Sequence, residues 1–149
     1  MNEQKRIQII REVSLCADLP GFYEKSEALG NKAATALTRK KRAQISGLEN
    51  IANSALKTTD VFDFIKVRSA RHKEWQEGNW GPELLNFLQD NAAQKSGLRQ
   101  YRLQICHNLA LDQESADGIL VHLLLIREFV RQMAAQYEYA CYKDKGGDQ

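Results

Sequence analysis

Arg68, Arg71, His72 and Trp75 lie close together in the segment FIKVRSARHKEW. A helix over Val61 to Gln76 turns that spacing into a surface. At about 100° per residue, the face holding Val61, Phe64 and Ile65 continues through Arg68, Arg71, His72 and Trp75 within one broad arc. The arc is apolar in its first turns and basic and aromatic in its last. A helix that merely had a wet side would carry its cations opposite the core; here they extend the core face outward, as at the mouth of a groove. Lys66 and Lys73 flank it. Guanidinium groups beside an indole suit phosphate contact with base stacking, the usual way of holding a single-stranded nucleic acid. Two other readings stay open. Trp75 could pack on Trp80 across the following loop, or the basic face could meet an acidic protein.

A second cluster, Arg39-Lys40-Lys41-Arg42, offers the same chemistry. Phosphates neutralised by such cations release counterions, so binding weakens steeply with salt. The plainer reading is a solubilising turn. From Lys32 to Lys73 there are ten basic residues and three acidic ones (Glu49, Asp60, Asp63), a local charge of +7 in a chain whose net charge is +2. That asymmetry predicts one basic face and a neutral or acidic remainder. The expected partner is nucleic acid, RNA above DNA, held without reading its sequence.

A third element, Arg102-Leu-Gln-Ile-Cys-His107, resembles the R-x4-H signature of the HEPN family of helical ribonucleases. The resemblance implies a dimer in which Arg102 holds the scissile phosphate and His107 moves a proton. The same residues also suit a structural role, with His107 beside the Cys106/Leu109 packing face. A non-catalytic protein is the preferred expectation. His122 reads as a structural or partner contact. No pair of His, Cys, Asp or Glu has metal-ligand spacing, and no glycine-rich phosphate loop is present, so neither metal nor cofactor is expected.

These residues need a scaffold, and the composition supplies one. The 149 residues are 43% apolar and 27% charged, which fits a single domain over 1–149 with its own core and excludes a disordered chain. Cys16, Cys106 and Cys141 each sit in an apolar helical pattern and read as reduced, buried thiols. The longest apolar run, Ile119 to Ile126, is interrupted by His122 and is far short of the roughly 20 residues of a membrane span. A soluble, cytoplasmic protein is expected.

Helical periodicity recurs throughout, and no segment sustains two-residue alternation. The fold class is therefore all-α: a compact bundle of about five to seven helices with a long C-terminal one. Asn2 caps a first helix to Asp18, with Ile9, Val13 and Cys16 inward, and Pro20-Gly21 ends it. A short piece from Phe22 stops at Gly30. Ala34, Leu37, Lys41, Ile45, Leu48, Ala52 and Ala55 form one stripe, which predicts a continuous helix over Lys32 to Leu56 with Thr38 inside. A helix starting at Thr38 would instead set four cations against the positive end of its dipole, at about 0.3–1 kcal/mol each, unless a phosphate sat there. Thr59 or Asp60 caps the helix to Gln76. Pro82 opens the next, with Leu84, Leu85, Leu88 and Ala92 on one side. Gly97 precedes a helix carrying Leu98, Ile105, Cys106 and Leu109. Asp112 or Ser115 caps the last, whose seam Ile119, Leu123, Ile126, Val130, Met133, Tyr137 and Ala140 is heptad-like. Leu120, Leu124 and Leu125 lie outside that seam, which predicts core packing plus a smaller contact to another subunit. The tail 143–149 is expected to fray.

Three segments, TRKKRAQISGLENIA, FIKVRSARHKEW and REFVRQMAAQYEYACYK, resemble in order the small all-helical subunits of type III CRISPR effector complexes, especially the III-A kind. The resemblance implies a non-catalytic strut in an RNA-guided antiviral complex, touching guide and target strands without reading sequence. It assigns that contact to Arg39, Lys40, Arg42, Arg68, Arg71 and Lys73, and it implies further protein subunits as partners.

Overall fold

The computed structural model describes residues 2–89 and 97–147. Within them the chain is all-α, with seven helices longer than one turn and a long C-terminal helix. No helix among the described residues is long and apolar enough to cross a membrane.

Helix α1 spans Glu3–Ala17. The Asn2 side chain caps it by accepting from the Lys5 amide at 2.7 Å, and Ile9, Val13 and Cys16 face inward as their spacing requires. Pro20 opens α2, Pro20–Leu37, where the amide that proline lacks would have had no helical partner. This helix runs straight through Gly30, where the sequence predicts a stop. A side chain at Gly30 would place its Cβ 2.7 Å from both Gln136 Cβ and the Met133 carbonyl oxygen. Gly30 thus serves helix–helix approach, not termination.

The expected continuous helix over Lys32 to Leu56 is broken. Thr38 takes φ 55° and ψ −173°, Arg39–Lys41 form a single 3-10 turn, and α3 starts at Arg42 and ends at Ser54. The break lets both the α2 stripe and the α3 stripe pack on the same long helix. The strain at Thr38 is of the order of 1–3 kcal/mol. It is held by neighbours: the Tyr137 hydroxyl donates to the Thr38 carbonyl, and Thr38 Oγ1 accepts from the Lys40 amide.

Helix α4 covers Thr58–Arg71, not Val61 to Gln76. His72 is extended, and a single turn, α5 (Lys73–Gln76), is followed by a 3-10 turn at Glu77–Asn79 and by α6, Trp80–Leu88. The reversal is built around two indoles. Trp75 and Trp80 are fully buried and stacked, ring centroids 4.4 Å apart. Each indole N–H is satisfied, Trp75 by Gln44 Oε1 at 3.1 Å and Trp80 by the Glu74 carbonyl at 2.7 Å. Gly81 makes the close turn possible, since a Cβ there would lie 2.5 Å from the Trp75 carbonyl oxygen. Leu84 and Leu88 are buried; Ala92 lies outside the described residues.

Helix α7 is Leu98–Asn108, and α8 is Ala116–Gly147, started by Ser115, whose hydroxyl accepts from the Gly118 amide. The helix reaches Gly147, where fraying is predicted from residue 143. It is the axis of the bundle, packed against α1, α2, α3, α4 and α7. The expected seam is buried from Leu123 to Tyr137, while Ile119 is 41% exposed. Val121, His122, Leu125, Phe129 and Ala134 are buried as well. Of the residues outside the seam, Leu125 is buried and Leu120 and Leu124 are half-buried, while Phe129 meets Phe22 and Phe87 and His122 Nε2 meets the Leu88 carbonyl at 2.8 Å. Each such large apolar side chain contributes about 1.5–3 kcal/mol on burial. All three cysteines are free and buried.

Candidate nucleic-acid interface

The break in α4 changes what its arc can do. The side that enters the core carries Thr58, Val61, Phe62 and Ile65. A different side, with Asp60, Asp63, Phe64, Val67, Arg68 and Arg71, lines an open groove of about 460 Å³ together with Ile51 and His72. Phe64 and Arg68 stand at the boundary. The Arg68 guanidinium lies over the Phe64 ring, 4.8 Å from its centroid, and Phe64 meets Trp75 edge-on at 6.2 Å. Cation–π contact of this kind is worth about 0.5–1 kcal/mol at a partly exposed site. Trp75 therefore does not face a base. It buttresses Phe64, which supports Arg68, and the Trp75–Trp80 packing alternative is the one realised.

The two basic clusters meet through a carboxylate. Glu74 Oε1 lies 3.0 Å from Lys41 Nζ and 3.6 Å from His72 Nδ1. The backbone amide of Glu74 and the Lys41 ammonium, joined by His72, hold this carboxyl below its ordinary value of 4.5. On the other side of the turn, Arg42 Nη2 lies 2.7 Å from Glu138 Oε2. These two pairs explain how the cations are tolerated at the start of α3. Carboxylates from α5 and α8 offset the unfavourable dipole. Both pairs reach solvent, with Lys41 51% and Arg42 47% exposed, so each is screened and a phosphate can compete for either cation.

Arg39 and Lys40 are exposed and line a second concavity of about 420 Å³ with Ala34, Thr35, Thr38, Cys141 and Asp144. Arg71 and Lys73 are exposed. Lys66 is exposed too, but outside the residues that line the groove. The strip thus runs from Arg71 and Arg68 through His72 and Lys41 to Arg42, Arg39 and Lys40. Glu74, Gln44 and the groove acids Asp60 and Asp63 belong to its chemistry and were not singled out from the sequence. For Glu74 the signal was its place beside Trp75 in a segment otherwise rich in cations.

Arg102 and His107 are not brought together on one surface. Five residues along a helix rotate a side chain by about 140°. Arg102 is fully buried and its guanidinium donates to the Gln113 carbonyl, with Glu114 at 3.7 Å, whereas His107 is exposed. Arg99, also buried, binds Glu114 at 2.7 Å. Both arginines therefore clasp the loop between α7 and α8. Among the described residues no group of three or more His, Cys, Asp or Glu could hold a metal ion.

The fold and strip define a class: an all-α bundle with one concentrated, partly neutralised cationic surface. No family model, curated protein or solved structure matches this chain.

Proposed function

We propose that the protein is a non-catalytic, nucleic-acid-binding helical subunit that holds a single-stranded RNA backbone along its basic strip. One observation carries this reading. Two basic segments about thirty residues apart in sequence converge on Glu74, through Lys41 and His72. A long cationic track with weak internal pairs fits a string of phosphates better than a single compact anion. The resemblance to small subunits of type III CRISPR effector complexes extends this reading to a strut in an RNA-guided defence assembly.

The test is fluorescence anisotropy of labelled single-stranded RNA with the wild type and with the Arg68→Glu/Arg71→Glu variant, across a salt series. The variant should lose RNA retention while its circular dichroism is unchanged. For the wild type, each single-strand phosphate contact should contribute about −0.7 to the slope of log affinity against log salt. Unchanged binding by the variant would sink the proposal. Absence of wild-type binding at low and physiological salt would leave an acidic protein as the partner of the strip.

A further inference from the structure

If RNA runs along the strip, its bases need a surface, and Trp75 does not provide one. Two exposed aromatic residues lie on α8, beside the residue that Arg42 grips. Tyr139 and Tyr142 are 55% and 70% exposed, with ring centroids 6.5 Å apart and planes inclined by only 25°. Lys143 Nζ lies 5.3 Å from the Tyr139 centroid. Tyr142 is one helical turn beyond Glu138, on the same face, and Glu138 is the residue that Arg42 grips at 2.7 Å. The tyrosine pair therefore sits at the α8 end of the cationic strip, next to an ion pair that ties the basic turn to this helix.

We propose that Tyr139 and Tyr142, set between Arg42 and Lys143, form the base-stacking platform for the single strand whose phosphates follow the strip. The inference rests on the RNA-binding reading and deepens it. Tyr142 offers a flat, sequence-tolerant face with little rotamer entropy to lose, Tyr139 adds a second that the mobile Lys143 side chain overlies, and the near-parallel planes give successive bases the same orientation. The adjoining charges decide the kind of partner. Arg42 and Lys143 are the cations beside the pair, with Arg39 and Lys40 on the basic turn, against the carboxylates Glu49, Glu138 and Asp144 among the described residues.

The experiment compares a labelled oligouridine of about 15 nucleotides with an abasic ribose-phosphate chain of the same length. Both are titrated against the wild type, Tyr139→Ala/Tyr142→Ala, Tyr139→Phe/Tyr142→Phe and Arg68→Glu/Arg71→Glu. The alanine pair should weaken oligouridine binding by about 5- to 150-fold for each stacked base lost and leave the abasic chain unaffected. The phenylalanine pair, which keeps the rings, should bind like the wild type. Oligouridine affinity unchanged in the alanine pair, but lost in the arginine variant, overturns the platform and leaves the RNA-binding reading standing. A wild type that binds both ligands equally also overturns the platform, with no variant needed. A wild type that binds neither overturns both.

Discussion

Lys41 and Arg42 are neighbours in the chain, yet they grip carboxylates on different elements: Lys41 reaches Glu74 on α5 at 3.0 Å and Arg42 reaches Glu138 on α8 at 2.7 Å. The short turn after Thr38 thus pins three parts of the bundle together and keeps its cations at the surface.

Glu74 competes with any phosphate for Lys41. Glu74→Gln should tighten single-stranded RNA binding several-fold and steepen the salt dependence by about one contact's worth, −0.7 in slope. Anisotropy at four or five salt concentrations would show it, and weaker binding would argue that Glu74 positions Lys41 instead of masking it. Because Glu74 titrates below its ordinary value, its stabilising pairing is complete above pH 4.5 and disappears as the pH falls through the lower folded value.

Tyr137 is fully buried, and its hydroxyl holds the carbonyl of the strained Thr38. Tyr137→Phe leaves that carbonyl without this donor and should cost about 1–2 kcal/mol in urea unfolding. RNA affinity should fall with it, since the turn loses its anchor. A variant as stable as the wild type would mean that the turn is held by its own capping bonds.

Gly30→Ala separates two accounts of one glycine. In a plain helix interior the change gains about 0.5–1 kcal/mol. Against Gln136 and Met133 it should instead lose about 1–3 kcal/mol through overpacking. The sign of the change in unfolding midpoint decides.

Arg102→Met should destabilise the protein by about 3 kcal/mol, because Glu114 and the Gln113 carbonyl lose a buried charged donor. His107→Ala, at an exposed position, should leave stability within about 0.5 kcal/mol. Neither should change the integrity of RNA incubated with the protein, as read on a gel. RNA cleavage that disappears in both variants would restore the ribonuclease reading.

Burial, with Glu12 adding, pushes the Cys16 thiol from its ordinary 9.0 up to about 11. The folded state prefers the neutral thiol, so its contribution is complete below pH 9 and is lost as the pH rises toward 11. Chemical denaturation at pH 8 and pH 10.5 should show a drop that is smaller in Cys16→Ala.

The helices themselves were readable because apolar spacing is local. Asn2, Ile9, Val13 and Cys16 define α1, and the run from Leu123 to Tyr137 defines the middle of α8. The breaks were not readable. Thr38 bends the chain at a conformation that its own residue type disfavours, because Tyr137, ninety-nine residues away, takes its carbonyl. Gly30 looked like punctuation and is a contact with α8. The groove residues Arg68, Arg71 and His72 do share a surface, but Trp75 leaves it, since burying two indoles outweighs continuing one helix past His72. Tyr139 and Tyr142 stand three residues apart in the sequence, but nothing local to that spacing says that both rings are exposed.

The element that every major neighbour packs on, α8, follows all of them in chain order. Its contacts join residues far apart in sequence, so α1 to α4 complete their apolar faces only when α8 docks, and non-local pairing of that kind slows folding.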